Sequence, residues 1–211
     1  MKIIHLSDTH NRHKELQLEE GDVIIHSGDA TNMGSISEVT EFLTWYGKLS
    51  HTYKLFIAGN HDWLFEKEPT LAMELCKENN VTWLNSESIE IDGLKFYGES
   101  AQPHFCAWAF NIKEPWLLKE KYDDIPNDTD ILITHCPPKG YLDLTVRGEH
   151  VGSNELQHSL QRLNKLKLHC FGHIHHSKGL SKIGDTWFSN GAICDEQYQP
   201  TNKENVIELD V

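Results

Sequence analysis

Five short, largely apolar runs recur along the chain, each bounded by glycine, aspartate or asparagine. They cover residues 3–6, 23–25, 55–58, 131–133 and 168–171, the last of them interrupted by His169. Apolar runs of this length are typical of strands that are covered on both faces of a sheet. We therefore predict that these five segments form the central strands of the fold.

Helices and hairpins are predicted between and beyond these strands. The helix-like stretches are 36–49, 70–78 and 155–166. Pro69 and Ser153 are residues of the kind that begin helices. Hairpin turns are predicted at Asp92-Gly93 and Gly184-Asp185, because both dipeptides favour tight two-residue connections. The flanking strand segments are 88–91 with 94–97 and 182–183 with 186–189, and a last strand is predicted over 206–209.

Strands that alternate with helices, together with added hairpins, predict an α/β or α+β layered domain. A sandwich of two sheets with helices outside accommodates both kinds of strand. The sequence shows no internal repeat, no low-complexity segment and no linker rich in proline or glycine. Residues 1–211 are therefore interpreted as a single domain.

Each predicted central strand is followed directly by side chains that can bind metal or transfer protons. The segments are 7–10 (Ser-Asp-Thr-His), 26–29 (His-Ser-Gly-Asp), 59–62 (Gly-Asn-His-Asp), 134–138 (Thr-His-Cys-Pro-Pro) and 172–175 (Gly-His-Ile-His). Since the carboxyl ends of neighbouring parallel strands converge on one crevice, these side chains should meet in space. One such segment alone would indicate only a turn. Five of them, each directly after a predicted buried strand, indicate a functional site.

The donors in these segments are carboxylates, imidazoles and a carboxamide. Such a set suits Mn²⁺, Fe or Zn²⁺ better than a structural zinc bound by thiolates. These segments contain seven candidate ligands, which is more than the roughly four to six that one such ion binds. Two ions that share one bridging carboxylate would use them all.

Charge limits the class of partner. The chain has 19 Lys and Arg against 32 Asp and Glu, for a net charge of −13. Proteins that bind extended nucleic acids usually present a basic stripe, so the composition disfavours such a partner. A small anionic substrate, held by local positive charge, remains compatible with the composition. No apolar run approaches the roughly 18 residues that span a bilayer, and the N-terminal residues lack the apolar stretch of a signal peptide. We therefore expect no membrane partner and a cytoplasmic location. The oligomeric state is not predicted.

The remaining histidines and the cysteines are predicted to be structural. Of the 14 histidines, His5 and His26 lie within strand runs and are predicted to be buried. The histidines predicted to be exposed to solvent are His13, His51, His158 and His176. The five cysteines are widely spaced and form no C-x-x-C pair, so we interpret them as small buried apolar residues rather than as disulfides or a zinc site.

Taken together, the five segments resemble the blocks of the calcineurin-like metallophosphoesterase superfamily: D-x-H, G-D, G-N-H-[DE], H-x-P and G-H-x-H. The resemblance is greatest to the metallophosphoesterase-domain-containing group, also called class III cyclic-nucleotide-phosphodiesterase-like proteins. The similar stretches are 125–126, 128–132, 134–138, 171–175, 190–194 and 198–202. Cys136 stands where that group usually has glycine. The resemblance implies a four-layer αββα sandwich of two mixed β-sheets flanked by helices.

The resemblance also implies two divalent metal ions, with Mn²⁺ expected first and Fe or Zn²⁺ as alternatives. One ion would be held by Asp8, His10, Asp29 and His175. The other would be held by Asn60, His135, His173 and, as a bridge, Asp29. Because two divalent ions outweigh two carboxylates and a hydroxide, this pocket would be locally cationic inside an acidic protein.

These features predict a phosphoesterase, most simply a phosphodiesterase acting on small phosphate esters, with cyclic and other nucleotides among the candidates. A metal-bridging hydroxide would attack phosphorus. His61, next to Asn60, is the predicted proton donor for the leaving group, and Asp62 is its predicted orienting partner. The alternative is a metal-binding scaffold or nucleotide-binding protein with little turnover. A nuclease or a phosphoprotein phosphatase is a third hypothesis. The acidic charge and the lack of a basic groove disfavour the nuclease, and the sequence indicates no surface that would bind a polymer substrate.

The segment 101–111 is too aromatic for an ordinary loop. Phe105, Trp108 and Phe110 either pack in the core or form a wall on which a nucleobase stacks. The predicted substrate-binding residues are Asn60, His61, Phe105 and Trp108.

Overall fold

The first sheet is built from three of the predicted central strands. In the computed structural model, which describes residues 1–210, it contains β1 (Lys2–Leu6), β2 (Val23–His26), β3 (Tyr53–Phe56), β4 (Thr82–Trp83) and β13 (Asn205–Glu208). The strand order is β13-β1-β2-β3-β4. All neighbours are parallel except β13, which pairs with β1 in the antiparallel sense.

The second sheet contains the other two central strands and both hairpins. Its strands are β5 (Glu87–Ile91), β6 (Leu94–Glu99), β9 (Ile131–Thr134), β10 (Leu168–Phe171), β11 (Gly179–Ile183) and β12 (Thr186–Asn190), in the order β11-β12-β10-β9-β6-β5. The inner pairs are parallel, and the two hairpins at the edges are antiparallel. Two short strands, β7 (Gln102–Pro103) and β8 (Asn111–Ile112), form a separate parallel ribbon.

Five α-helices are assigned within residues 1–210: α1 (Ile36–Gly47), α2 (Trp63–Lys67), α3 (Pro69–Glu78), α4 (Pro115–Asp123) and α5 (Asn154–Leu160). The helix predicted over 155–166 is too long. After Leu160 the chain continues as turns with hydrogen bonds to the third residue back, and Leu163 and Leu166 reach the core from those turns. The sequence interpretation missed α4, which buries only Leu118 and Tyr122.

Three apolar cores separate the layers. Between the sheets, alternate residues such as Ile3 and Val23 face Ile131 and Leu168. On the outer face of the first sheet, the intervening strand residues pack against α1, α2 and α3. On the outer face of the second sheet, Leu132 packs against α4 and α5. The molecule is therefore the four-layer αββα sandwich that the family resemblance implies, and it confirms the two-sheet arrangement with outer helices predicted from the pattern.

Two histidines predicted to be solvated are buried instead. His13 packs against Phe42 and Trp45, and His51 donates a hydrogen bond through Nε2 to the carbonyl of Glu19. The exposed His158 and His176 agree with the prediction. Four of the five free cysteines are buried, with Cys106 exposed. Within the described part of the chain, no helix has both the length and the apolar character needed to cross a membrane.

Candidate metal centre

The loops that follow the central strands converge at one edge of the sandwich. Within the first sheet, the amide of Asp8 donates to the carbonyl of Gly28 at 2.9 Å. Between the sheets, the amide of His173 donates to both carboxylate oxygens of Asp8 at 3.1 and 3.0 Å. His135 Nδ1 donates across to the carbonyl of Ser27 at 2.9 Å. His135 Nε2 also lies 3.1 Å from Oδ1 of Asn60, so all five segments, although distant in sequence, meet at one place.

The backbone turns sharply at several of these side chains. Asp8, His10, Asp29 and His173 all have positive φ, between 42° and 67°. This conformation is uncommon outside glycine and is concentrated at functional sites. Gly28 has a φ of 100°, and a Cβ on it would lie 2.6 Å from Nδ1 of His135. The turns bring residues two apart in sequence, such as Asp8 and His10, into the same space.

A first group of donors consists of Asp8, His10 and His175, whose ligand atoms lie within 4.8 Å of one another. His175 Nε2 is 3.2 Å from Oδ1 of Asp8, and His10 Nε2 is 4.0 Å from the same oxygen. The two imidazole Nε2 atoms are 3.3 Å apart. Three buried or half-buried donors that crowd together without an intervening apolar group are typical of a metal site.

A second group consists of Asp29, His135 and His173, again within 4.8 Å. His135 Nε2 lies 3.3 Å from Oδ2 of Asp29 and 3.1 Å from Oδ1 of Asn60. Asp29 also belongs to a third group, with His10 and His61, and its Oδ2 is 3.9 Å from Nε2 of His10. Asp29 therefore lies between the two sets of donors.

Backbone carbonyls fix the orientation of two of the imidazoles. His135 Nδ1 donates to Ser27, and His175 Nδ1 donates to the carbonyl of Asp195 at 2.9 Å. In each ring the Nε2 atom is left facing the carboxylates. Metal-bound histidines commonly use their second nitrogen in this way, which sets the tautomer and the ring orientation.

The electrostatics of the site suit a cation. Burial raises the pKa of Asp8 and of Asp29, but the neighbouring His175 and His135 outweigh it, so that both pKa values lie below the usual range and both carboxylates are ionised. Burial lowers the pKa of His10 and of the half-buried His173 to about 4, so these imidazoles are neutral and able to bind metal at pH 7.

The remaining two imidazoles behave differently. Burial lowers the pKa of His135 and His175, but the carboxylates of Asp29 and Asp8 respectively raise both to about 9. Their protons occupy the positions that a cation would take beside the carboxylates. Metal binding at these rings therefore requires the release of protons, and the affinity should rise with pH.

A cavity of about 350 Å³ is lined by four members of the first two donor groups, His10, Asp29, His173 and His175. Its wall contains the four predicted substrate-binding residues, Asn60, His61, Phe105 and Trp108. The Trp108 ring lies over the His61 ring, with centroids 4.0 Å apart and planes inclined by 33°. Phe105 is 56% exposed at the rim. Phe110 does not reach the cavity and packs against the core of the first sheet instead.

His61 is held by its backbone and by its ring. The amide donates to Oδ1 of Asp29 at 2.7 Å, and Nδ1 donates to the carbonyl of Asn32 at 2.6 Å. Because Nδ1 is engaged with Asn32, Nε2 is the nitrogen available for proton transfer. The ring also lies edge-on to His10, with centroids 4.9 Å apart.

The predicted pairing of Asp62 with His61 is wrong. The Asp62 carboxylate turns back toward the preceding loops, where it accepts hydrogen bonds from the amides of Gly59, Ala30 and Thr31 at 2.9, 3.3 and 3.0 Å. It also accepts one from the Thr31 hydroxyl at 2.8 Å. Burial and the charge of Asp29 raise the pKa of Asp62 to about 6, so the group is ionised at pH 7. Asp62 therefore holds two ligand-bearing loops together and does not orient an imidazole.

Replacing Asp62 by asparagine removes a charge that burial and Asp29 disfavour, but one amide oxygen cannot accept four buried hydrogen bonds. We expect the loss of hydrogen bonds to outweigh the relief of repulsion and to lower the stability of the metal-free protein by about 1–3 kcal/mol. Urea unfolding at pH 7 measures the change. The control is Asp92→Asn, in the exposed turn of the β5–β6 hairpin, which also removes one negative charge. Its urea midpoint of unfolding should equal that of the parent protein within experimental error. An unchanged midpoint for Asp62→Asn would show that these hydrogen bonds do not stabilise the loops.

Sequence reasoning missed two features of the site. Tyr198 lines the cavity with its ring edge-on to His10, at a centroid distance of 4.5 Å. It lies within the stretch 198–202 that resembles the metallophosphoesterase-domain-containing group, which was the available signal. The carbonyls of Asn32 and Asp195 could not be found from side-chain types, because any residue supplies a carbonyl.

Comparison with known proteins gives a consistent result. The family model described as calcineurin-like phosphoesterase matches residues 1–177. Metallophosphoesterase domain-containing protein 1 of Homo sapiens is 38% identical over 231 residues, covering 99% of this chain and 71% of that protein. A UPF0046 protein of Caenorhabditis elegans is 34% identical, covering 94% and 72% respectively. The crystal structure of TT1561 of Thermus thermophilus shares the fold, with a TM-score of 0.63 at 14% identity, over 90% of this chain and 88% of that chain.

Proposed function

The chain belongs to the calcineurin-like phosphoesterase family, and from this premise we propose that it is a phosphodiesterase that uses two divalent metal ions. The observation that carries the proposal is the pair of donor groups joined by Asp29. One ion would be held by Asp8, His10, Asp29 and His175. The second would be held by Asp29, Asn60, His135 and His173. Mn²⁺ is the ion we expect, because the oxygen and nitrogen donors include no thiolate.

When bound, such ions supply Lewis acidity at phosphorus and an ionised water as nucleophile near neutral pH. The protein itself must supply the proton for the leaving oxygen. His61 is the proposed donor, because its Nδ1 is anchored on Asn32 and its Nε2 remains available beside the donor groups. Trp108 restricts the tilt of the His61 ring by lying against its face.

The lining of the cavity supports the proposal of a diester rather than a monoester substrate. Among the described residues that line it there is no lysine or arginine, and Glu196 contributes a negative charge. A monoester dianion would therefore carry a second negative charge that no lysine or arginine of the lining offsets, whereas a diester carries only one negative charge. The exposed apolar rim, with Phe105 at 56% and Val146 at 63%, can accommodate the second ester group of a small diester, a nucleotide among them.

A metal-reconstituted assay tests this function. With Mn²⁺ added, we expect bis(p-nitrophenyl) phosphate to be hydrolysed at least about tenfold more efficiently than p-nitrophenyl phosphate, which corresponds to about 1.4 kcal/mol of preferential transition-state binding. The same protein after chelation is the control and should be inactive on both. Faster hydrolysis of the monoester would reverse the assignment. Stoichiometric metal without hydrolysis of either ester, or of cyclic nucleotides, would favour the scaffold alternative.

A further inference from the structure

One carboxylate outside the metal centre collects an unusual number of hydrogen bonds. Glu38, the third residue of α1, accepts through Oε2 from the amide and the hydroxyl of Ser35 at 2.9 and 2.7 Å. Through Oε1 it accepts from Nδ2 of Asn11 at 2.6 Å and from the amides of Asn32 and Met33, both at 3.3 Å. The contacts with Ser35 form a capping box and suffice to begin the helix. The three contacts through Oε1 are not needed for capping.

Those three contacts lead to His61. The carbonyl of Asn32 accepts the hydrogen bond from Nδ1 of His61 at 2.6 Å, while the amides of Asn32 and Met33 are held by Glu38. The loop 31–34 is therefore held from one side by Glu38 and contacts the imidazole on the other. The third contact partner, Asn11, directly follows His10 in sequence. Its backbone amide donates a hydrogen bond to the carbonyl of Ala30 at 3.0 Å.

We propose that Glu38 is a positioning residue for His61, which it orients through the carbonyl of Asn32. Glu38 does not touch the cavity, whose lining does not include it. Its carboxylate fixes the loop, the loop carbonyl fixes Nδ1 of the ring, and Nε2 is thereby aimed at the leaving group. The inference rests on the proposed role of His61 as proton donor. A misplacement of the ring by about 1 Å is sufficient for a large loss of rate.

The test compares Glu38→Ala with Ser35→Ala, using a dialkyl phosphodiester and bis(p-nitrophenyl) phosphate as substrates and Mn²⁺ as the metal. For Glu38→Ala we expect kcat on the dialkyl ester to fall about ten- to hundredfold, with KM and metal content unchanged. The loss on the p-nitrophenyl ester should be smaller, because that group leaves without a proton. Ser35→Ala removes the helix cap and the hydroxyl contact with Oε2, but it leaves the three contacts through Oε1. It should therefore lower Tm while leaving kcat unchanged. Glu38→Gln keeps one acceptor oxygen for the loop and should recover part of kcat.

A double variant shows whether Glu38 acts through His61. In the background of His61→Ala, the further change Glu38→Ala should add no loss of kcat, since the group that it positions is absent. Equal losses on both esters, full additivity in the double variant, or an equal loss for Ser35→Ala would each overturn the inference. If the loss of kcat in His61→Ala were the same for both leaving groups, the proposed role of His61 would be overturned. The inference about Glu38 would then be overturned with it. If kcat of His61→Ala depends on the leaving group as expected while kcat of Glu38→Ala equals that of the parent protein, the inference about Glu38 is overturned. The proposed role of His61 then stands.

Discussion

Replacing Asp29 by asparagine should abolish both stoichiometric metal binding and diester hydrolysis. Asp29 belongs to two of the three donor groups, and its Oδ2 lies 3.3 Å from Nε2 of His135 and 3.9 Å from Nε2 of His10. Asparagine keeps the size of the side chain but removes the charge and one oxygen donor that both ions would share. The loss of several kcal/mol of transition-state stabilisation corresponds to a fall in kcat of about a thousandfold or more.

Elemental analysis and diester hydrolysis, measured on the same protein without free metal, check this result. The active protein should contain two ions per chain, chelation should remove the activity, and Mn²⁺ should restore it. Asp128→Asn, on the surface beside Lys95, makes the same chemical change away from the cavity and should behave as the parent protein. Fully active protein with one ion or none, or an Asp29→Asn variant that keeps both ions, would refute the bridging role.

The sequence is a good guide to the central strands because burial on both faces leaves a direct mark on it. All five predicted segments overlap observed strands to within about two residues at either end. Helix ends are harder to predict, because the apolar spacing of Leu163 and Leu166 continues beyond Leu160 while the backbone has changed to turns. The spacing of apolar residues records which side chains reach the core, and both a helix and a series of turns can satisfy it.

The site separates what side-chain types can reveal from what they cannot. Carboxylates and imidazoles after buried strands were recognisable, and the fold brings them together because parallel strands end at one edge. Adjacency in sequence misled the assignment of Asp62, whose carboxylate faces the loop at Ala30 and Thr31. Its place beside His61 is taken by the carbonyl of Asn32, and no residue type identifies a backbone partner in advance.

The aromatic segment 101–111 divides between the core and the cavity. Phe110 packs against the core and its amide donates to Glu66 at 2.6 Å, which fixes one end of the segment beside α2. The amide of Ala109 donates to the carbonyl of Asn60 at 3.1 Å. Trp108 is thereby carried to the face of His61, while Phe105 remains exposed at the rim of the cavity. Packing of one part of the segment thus positions the other part at the site.

Replacing His61 by alanine should lower kcat by about 10²–10⁴-fold on esters with alkoxide leaving groups, the range typical of general-acid catalysis. An alkoxide is a strong base and needs a proton as the ester bond breaks, whereas p-nitrophenolate leaves readily without one. The loss should therefore grow with the pKa of the leaving alcohol. A series of diesters that differ only in the leaving group, with metal content measured for every sample, checks the prediction. His158→Ala, on the exposed face of α5, is the matched control.

The position of His61 makes two other outcomes informative. Its ring contributes an atom to a potential donor group with His10 and Asp29, so a ligand role would appear as loss of metal from the His61→Ala protein. Equal losses for alkoxide and p-nitrophenolate esters, with metal retained, would instead indicate that His61 positions the phosphate. Only a loss that increases with leaving-group basicity at constant metal content supports proton donation, because only that role depends on the charge that develops on the departing oxygen.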